Sequence, residues 1–304
     1  MAELRTRIAG LEMENPTMLA SGILGQTGES LFRIVREGGA GAVVTKSIGL
    51  EPREGHGSPC LLELDNGILN AMGLPNPGID SFGEEMAVAL KAGAPVIGSI
   101  FSDSPSNFAA LARKMEGYGA AAVELNLSCP HAEKFGLDTG SDPAKVAEIV
   151  SAVKSAVKMP VFAKLSPMVP DITAIALAAE DAGCDAIVAI NTMRAMKIDI
   201  DIGKPVLRNK VGGLSGRAIK PVGVRAVYEI AGRVKVPVIG AGGVYTGRDA
   251  VEYLMAGASA VQIGSAVRER GIGAFGIVSA EIAEFMKENK YKSLNEIIGL
   301  ARGK

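Results

Sequence analysis

The side chain best suited to proton chemistry is Cys129, in the segment Asn126-Leu127-Ser128-Cys129-Pro130, which directly follows a short apolar run. A thiol can be tuned toward neutral pH and serve as a base or nucleophile. A cysteine can equally be an inert, small buried hydrophobe. Cys60 and Cys184 are read in that second way; for Cys129, position alone leaves both readings open. Asn70, Asn126 and Asn191, the last followed by Thr192, occupy comparable places after other runs. Each amide offers two donor hydrogens and an acceptor. Singly, such residues make turns or caps. Together they would read a flat ring with alternating N–H and C=O groups.

A second chemistry is written in glycine. Ile239-Gly240-Ala241-Gly242-Gly243-Val244 follows one apolar run, Gln262-Ile263-Gly264-Ser265 ends the next, and Gly212-Gly213-Leu214-Ser215-Gly216 adds a third site. Glycines let backbone N–H groups approach an anion, and a helix starting at Ser265 would add its positive end. Gly240-Ala241-Gly242 begins like a dinucleotide fingerprint, but the sixth position is Tyr245, and no acidic residue follows at the required place. The expected ligand is therefore a mononucleotide such as FMN, or a phosphorylated substrate, and not NAD. Lys46 ends one further run and Lys164 lies near the end of another. Lysines inside a sheet are costly unless an anion meets them. A substrate anion for one and an anionic reduced flavin for the other would do so; otherwise each is a solvated rim charge.

These groups need a scaffold. Eight short, mostly apolar runs are read as strands: Thr17–Ala20, Ala42–Lys46, Val96–Ile100, Ala121–Leu125, Val161–Leu165, Ala186–Ile190, Val238–Gly240 and Ala260–Ile263. Continuous apolar strands suit a sheet buried on both faces. Amphipathic stretches alternate with them, among them 142–157 and 216–232, with Asp142-Pro143 as cap and first helical position. Residues 4–14 alternate and turn at Gly10, which reads as a hairpin closing the barrel bottom. The expected fold is α/β, a single (β/α)₈ TIM barrel spanning 1–304, since such barrels run to about 250 residues. Connections 47–80, 126–141 and 191–216 are long and leave the carboxyl ends of strands, where barrels keep their sites.

Composition narrows the rest. Lys+Arg of 32 against Asp+Glu of 33, without a basic run or any tryptophan, disfavours nucleic acid or a membrane surface as partner. No apolar stretch spans a membrane, and the first residues lack a signal-peptide core, so a cytoplasmic protein is expected. Three cysteines and two histidines are too few for a disulfide framework, an iron–sulfur site or a histidine-rich metal site.

Taken together, the motifs resemble the class 1 dihydroorotate dehydrogenases. The resemblance is carried by Ala20-Ser21-Gly22, Thr45-Lys46-Ser47-Ile48, Leu69-Asn70-Ala71-Met72-Gly73-Leu74-Pro75-Asn76-Pro77-Gly78 and Asn126-Leu127-Ser128-Cys129-Pro130. Ala163-Lys164-Leu165-Ser166-Pro167, Asn191-Thr192, the 212–216 segment, Gly242-Gly243 and Gly264-Ser265 follow in family order, so the likeness covers nearly the whole chain. It implies oxidation of dihydroorotate to orotate in pyrimidine biosynthesis. Cys129 would take a proton from ring carbon 5 while hydride leaves carbon 6 for FMN. Lys46 and the loop Asn70, Ala71, Met72, Gly73 and Leu74 would hold the substrate, especially its carboxylate, and Asn126, Asn191 and Thr192 its ring. Ser21, Lys46, Ser47, Asn126, Lys164, Ile190, Gly216, Gly242, Gly243, Gly264 and Ser265 would contact FMN, with Lys164 near the pyrimidine end of the flavin. No metal is implied.

Cys129, where the membrane-associated branch has serine, and the 67–78 segment most resemble the NAD-linked class 1B catalytic subunit. That likeness implies a homodimer within a heterotetramer whose second subunit carries FAD and an iron–sulfur cluster. Three positions depart from the pattern. His131 stands where asparagine is frequent and resembles the uracil- and thymine-reducing dihydropyrimidine dehydrogenases. Ser99 replaces an asparagine near the flavin, and Ser265 a threonine. The alternatives are therefore a uracil- or thymine-type flavoenzyme, and a flavin-free barrel isomerase or lyase for a phosphorylated metabolite.

Overall fold

The computed structural model describes residues 3–127 and 139–303. It opens with a hairpin, β1 (Thr6–Ile8) and β2 (Leu11–Met13), turning at Ala9-Gly10. Then come β3 (Thr17–Leu19), α1 (Gly28–Arg36), β4 (Ala42–Val44), β5 (Leu61–Leu64), β6 (Gly67–Asn70) and α2 (Gly83–Ala89). Next are β7 (Val96–Ile100), α3 (Pro105–Gly117), β8 (Ala122–Asn126), α4 (Pro143–Lys154), β9 (Val161–Leu165) and α5 (Ile172–Asp181). β10 (Ala186–Ala189) leads through β11 (Met193–Ala195), β12 (Ile198–Asp199), β13 (Lys204–Pro205) and β14 (Gly212–Ser215) to α6 (Lys220–Ala231). The chain ends with β15 (Val238–Ala241), α7 (Gly247–Ala256), β16 (Ala258–Ile263), α8 (Ala266–Arg270) and α9 (Ala274–Glu288).

Strands β3, β4, β7, β8, β9, β10, β15 and β16 run parallel in that order and close into a barrel through β16 and β3. All eight expected strands are in it, and the fold is the (β/α)₈ TIM barrel. Alternate residues face opposite ways. Leu19, Val43, Val96, Val123, Val161, Ile187 and Val261 join the cluster that includes the helices. Met18, Val44, Ile97, Ala122, Phe162, Val188, Ile239 and Ala260 form a separate interior cluster. Ile8 and Met13 of the hairpin belong to that interior cluster, and Thr6 Oγ1 donates to the carbonyl of Ser259 near the start of β16. The hairpin thus plugs the amino end with apolar side chains. Packing of this kind is firm: Phe162→Ala would cost about 3–5 kcal/mol.

Helix starts follow local chemistry. Asp142 Oδ1 accepts from Ala144 N at 2.9 Å with Pro143 in the first turn, as the sequence suggests. The helix is shorter than expected, ending at Lys154. Among the described residues no helix is long and apolar enough to cross a membrane.

The connections 47–80 and 191–216 are more ordered than loops. They supply a four-stranded antiparallel sheet, β11-β14-β6-β5, with Asn70 opposite Gly213 and Leu69 opposite Leu214. Leu69, Ala71 and Leu207 form its own small buried cluster. The connection 47–80 holds the whole β5–β6 hairpin and 191–216 holds β11 and β14, so the four-stranded sheet forms only where β6 meets β14.

Candidate active site

The carboxyl ends of the barrel strands carry both chemistries read from the sequence. On one side, β15 runs into Gly242 at φ 116° and Gly243 at φ 69°, a left-handed backbone that favours glycine. A Cβ at Gly243 would stand 2.7 Å from the carbonyl oxygen of Gly216, and one at Gly216 2.7 Å from Cα of Gly67. This corner is packed backbone against backbone. Next to it, Gly264 is roomy: an added Cβ would meet only Ala20 Cβ at 3.5 Å and Ile23 Cγ1 at 3.8 Å. Gly22 has nothing within 4 Å. Gly242 and Gly264 are half-buried at this end of the barrel, and Gly243 is buried.

The helix expected at Ser265 is α8, only five residues long, with Ser265 as its N-cap residue. The nearby cations are already matched. Arg217 lies 3.7 Å over the Tyr245 ring and pairs with Glu269 at 2.8 Å, while Arg268 pairs with Glu63 of β5. An anion here would depend chiefly on backbone N–H groups.

Sequence reading missed the residue beneath this loop. Tyr253 of α7 is fully buried, and its hydroxyl donates to the carbonyl of Gly242 at 2.7 Å. A Cβ at Gly240 would collide with its ring, 2.4 Å from Cδ1, and one at Gly223 would lie 2.0 Å from the hydroxyl. Gly240 is glycine because of Tyr253, which explains the false dinucleotide signal. Burial pushes the Tyr253 phenol far above its ordinary range.

Across the mouth runs a chain of polar contacts. Ser21 Oγ lies 3.1 Å from Ser47 Oγ, which lies 2.9 Å from Ser99 Oγ. Asn126 Nδ2 donates to Ser47 Oγ at 3.2 Å, and Asn191 Nδ2 donates to Asn126 Oδ1 at 3.2 Å. Ser47 is the hub, and Ser99, noted only as a departure, is part of the framework; its N–H donates to Thr45 Oγ1 at 2.9 Å.

Asn70 joins this mouth from the accessory sheet. Its Nδ2 donates to the carbonyl of Gly213 at 3.3 Å, and a Cβ on Gly213 would be 2.3 Å from Thr192 Oγ1. Residues 70 and 192 are thus joined through Gly213. Ala71 is buried and Met72 exposed, and Gly73 and Leu74 both have positive φ. Asn76 holds this turn: its Oδ1 accepts from Gly49 N at 3.1 Å and Gly78 N at 3.0 Å, and its Nδ2 donates to Leu74 O at 3.0 Å. Ile190 is buried behind Asn191.

The two lysines differ. Lys46 is 6% exposed, and burial lowers its pKa. Its ammonium has no hydrogen bond or ion pair among the described residues. Lys164 is neither a solvated rim charge nor dependent on a ligand anion alone. Glu124 Oε1 lies 3.4 Å from its Nζ, and Lys164 Nζ donates to Gln262 Oε1 at 2.8 Å. The barrel brings its own carboxylate because β8 and β9 are neighbours.

Ser128, Cys129 and His131 lie outside the described residues. Cys60 sits in the accessory connection with Sγ 3.8 Å from Met72 Sδ. Cys184 is buried, and burial followed by Asp185 and Glu180 pushes its thiol up to about 12.

Fold and mouth define a (β/α)₈-barrel protein with its polar cleft at the carboxyl ends of the strands, where such barrels carry their ligand sites. The family model for dihydroorotate dehydrogenase matches residues 3–286, and the chain belongs to that family. Similar curated proteins include one from Thermoplasma acidophilum, 53% identical and covering 99% of both chains. Others are from Methanosarcina mazei, 52% identical over 97% of this chain and 94% of its own, and Methanocaldococcus jannaschii, 52% identical over 98% of each. All three are named dihydroorotate dehydrogenase B (NAD(+)), catalytic subunit.

Proposed function

We propose that this chain is the FMN-dependent catalytic subunit that oxidises (S)-dihydroorotate to orotate, with electrons passing to NAD through a partner subunit. The observation that carries the substrate assignment is Lys46, a buried cation that has no counter-charge among the described residues and lies next to the Ser47–Asn126–Asn191 chain. Such a group calls for an anionic ligand. Dihydroorotate bears a carboxylate; dihydrouracil does not.

FMN fits the residues present. The open backbone at Gly22 and Gly264 leaves room for a bulky group, and Gly242 and Gly243 offer N–H groups to a phosphate. Ser21, Ser47, Ile190, Gly216 and Ser265 would complete the contacts, and Lys164 would hold the pyrimidine end of the flavin. When bound, FMN supplies the acceptor for the hydride from carbon 6. Cys129 takes the proton from carbon 5, so the substrate loses a proton and a hydride and gains the ring double bond. Lys46 holds the carboxylate. Asn70, Asn126, Asn191 and Thr192 hold the ring, with Ala71, Met72, Gly73 and Leu74 as the covering turn.

The relatives' name, catalytic subunit, supports a second subunit. We assign to that partner the FAD and iron–sulfur cluster, and to the assembly a heterotetramer built on a homodimer of this chain. The deciding experiment is anaerobic: FMN-loaded protein is mixed with dihydroorotate and, separately, with dihydrouracil. Bleaching of the flavin by dihydroorotate alone is expected. Bleaching by dihydrouracil alone would transfer the assignment to a uracil-type enzyme, as His131 suggests. Failure to take up FMN would refute both.

A further inference from the structure

The barrel interior contains an acid that the reaction above does not use. Glu124 is fully buried, yet the neighbouring interior positions Ala122, Phe162 and Val188 are apolar. Oε2 of Glu124 accepts from Gln262 Nε2 at 2.5 Å, whereas Oε1 has no hydrogen bond. Oε1 instead lies 3.4 Å from Lys164 Nζ, which donates to Gln262 Oε1 at 2.8 Å. Three side chains from β8, β9 and β16 thus form a closed ring. The amide of Gln262 has only one workable orientation in it. Flipped, its NH₂ would face the ammonium and its oxygen the carboxylate.

The ring has a direction. Lys164 pairs in register with Asn126, whereas Glu124 pairs with Phe162. The ammonium therefore comes from a position two residues nearer the mouth than the carboxylate. A carboxylate is expensive to bury, and burial of a lysine favours its neutral form. Each would be a poor choice alone.

We propose that Glu124, with Gln262 as bridge, is a positioning residue that keeps Lys164 protonated and aimed at the mouth throughout the working pH range. The flavin thereby meets a constant positive charge at its pyrimidine end. This inference rests on the FMN reading above. Among the described residues, β9 lies between β8, which bears Glu124, and β10, which has no ionisable side chain; Lys46 is the other buried lysine. Without Glu124, the Lys164 ammonium would be buried without its carboxylate partner, its neutral form would be favoured, and flavin reduction would take up a proton at residue 164 over part of the range.

The test is the midpoint potential of bound FMN between about pH 6 and 9 in wild type, Glu124→Gln, Lys164→Met and the double variant. Glu124→Gln should gain an additional downward slope, up to tenfold in equilibrium constant per pH unit, or about 30 mV for a two-electron couple. At the alkaline end it should converge on the double variant, in which positions 124 and 164 are likewise both uncharged. In the Lys164→Met background, Glu124→Gln should add no slope. A potential that runs parallel to wild type at every pH, or the same added slope without Lys164, would overturn the proposal.

Urea unfolding of the flavin-free chain gives a second readout. The deficit of Glu124→Gln relative to wild type should shrink as pH rises, because the folded state sheds the unpaired proton before the unfolded state does. A pH-independent deficit would also count against the proposal. This measurement needs no flavin, so failure of the FMN reading and failure of the Glu124 assignment remain distinguishable. Should Glu124→Gln not fold, Gln262→Met breaks the same ring while keeping the acid; it should produce a weaker slope of the same sign, and no slope would overturn Gln262 as bridge.

Discussion

The ring of Tyr253 occupies the space that a side chain at position 240 would need, and its hydroxyl holds the carbonyl of Gly242 at 2.7 Å. One residue thus shapes the strand end and tethers the turn that follows. Gly240→Ala should destabilise the protein by ~1–3 kcal/mol through overpacking, read as a lower urea midpoint. Tyr253→Phe keeps the ring and loses only the hydrogen bond. It should cost about 1 kcal/mol and weaken FMN retention. Unchanged FMN affinity in Tyr253→Phe would mean that the tether does not shape the cradle.

Lys46→Ala should weaken orotate binding far more than uracil binding. Loss of a charge-assisted contact is worth about 1.5–3 kcal/mol, roughly 10–150-fold in affinity. Spectral titration of the bound flavin measures both ligands; equal losses would detach Lys46 from the carboxylate. Burial lowers the Lys46 pKa from the ordinary 10.5. Orotate affinity should therefore fall on the alkaline side at a lower pH than a free lysine would give. In the ligand-free chain the sign for stability is opposite: the cost of the buried charge is full below the lowered pKa and is relieved as pH rises through it.

Cys129→Ser should slow flavin reduction by dihydroorotate about 10²–10⁴-fold near neutral pH, the contribution of a positioned acid–base group. FMN content should not change. Stopped-flow reduction at wild-type speed would remove Cys129 from the mechanism.

Asp249 anchors the start of α7 in a capping box with Thr246 and receives Lys220 Nζ at 2.7 Å. Burial opposes its ionisation, but the bonds from Lys220 and Thr246 and the N–H groups of Tyr245 and Thr246 outweigh it, and its pKa is lowered. Asp249→Ala should cost ~1 kcal/mol at neutral pH. Because the folded pKa is the lower one, the stabilisation is present above the unfolded carboxylate range and lost as pH falls through the folded value. Wild type and variant should converge in acid melts; a constant gap would assign the effect to packing alone.

Cys184, with its thiol pushed up to about 12, should resist alkylation near pH 8 until the chain unfolds. Mass-spectrometric labelling with and without urea checks this. Rapid labelling of folded protein at Cys184 would contradict its burial.

Much of this molecule was legible in its residue order. Apolar runs such as Val161–Leu165 mark strands covered on both faces, Asp142-Pro143 marks a helix start, and the alternation around Gly10 marks the closing hairpin. The motifs also located Lys46, Asn126 and Asn191 at strand ends, because side-chain alternation and chain direction are local properties. Contacts between distant strands were not legible. Gly213 meets Asn70, Tyr253 fills the place beside Gly240, and Glu124, Lys164 and Gln262 form one ring only after β16 closes on β3 and the strands take their register. Local sequence specifies which way a side chain points; barrel closure decides what it meets there, and hence that Lys164 is paired with Glu124 while Lys46 has no ion pair among the described residues.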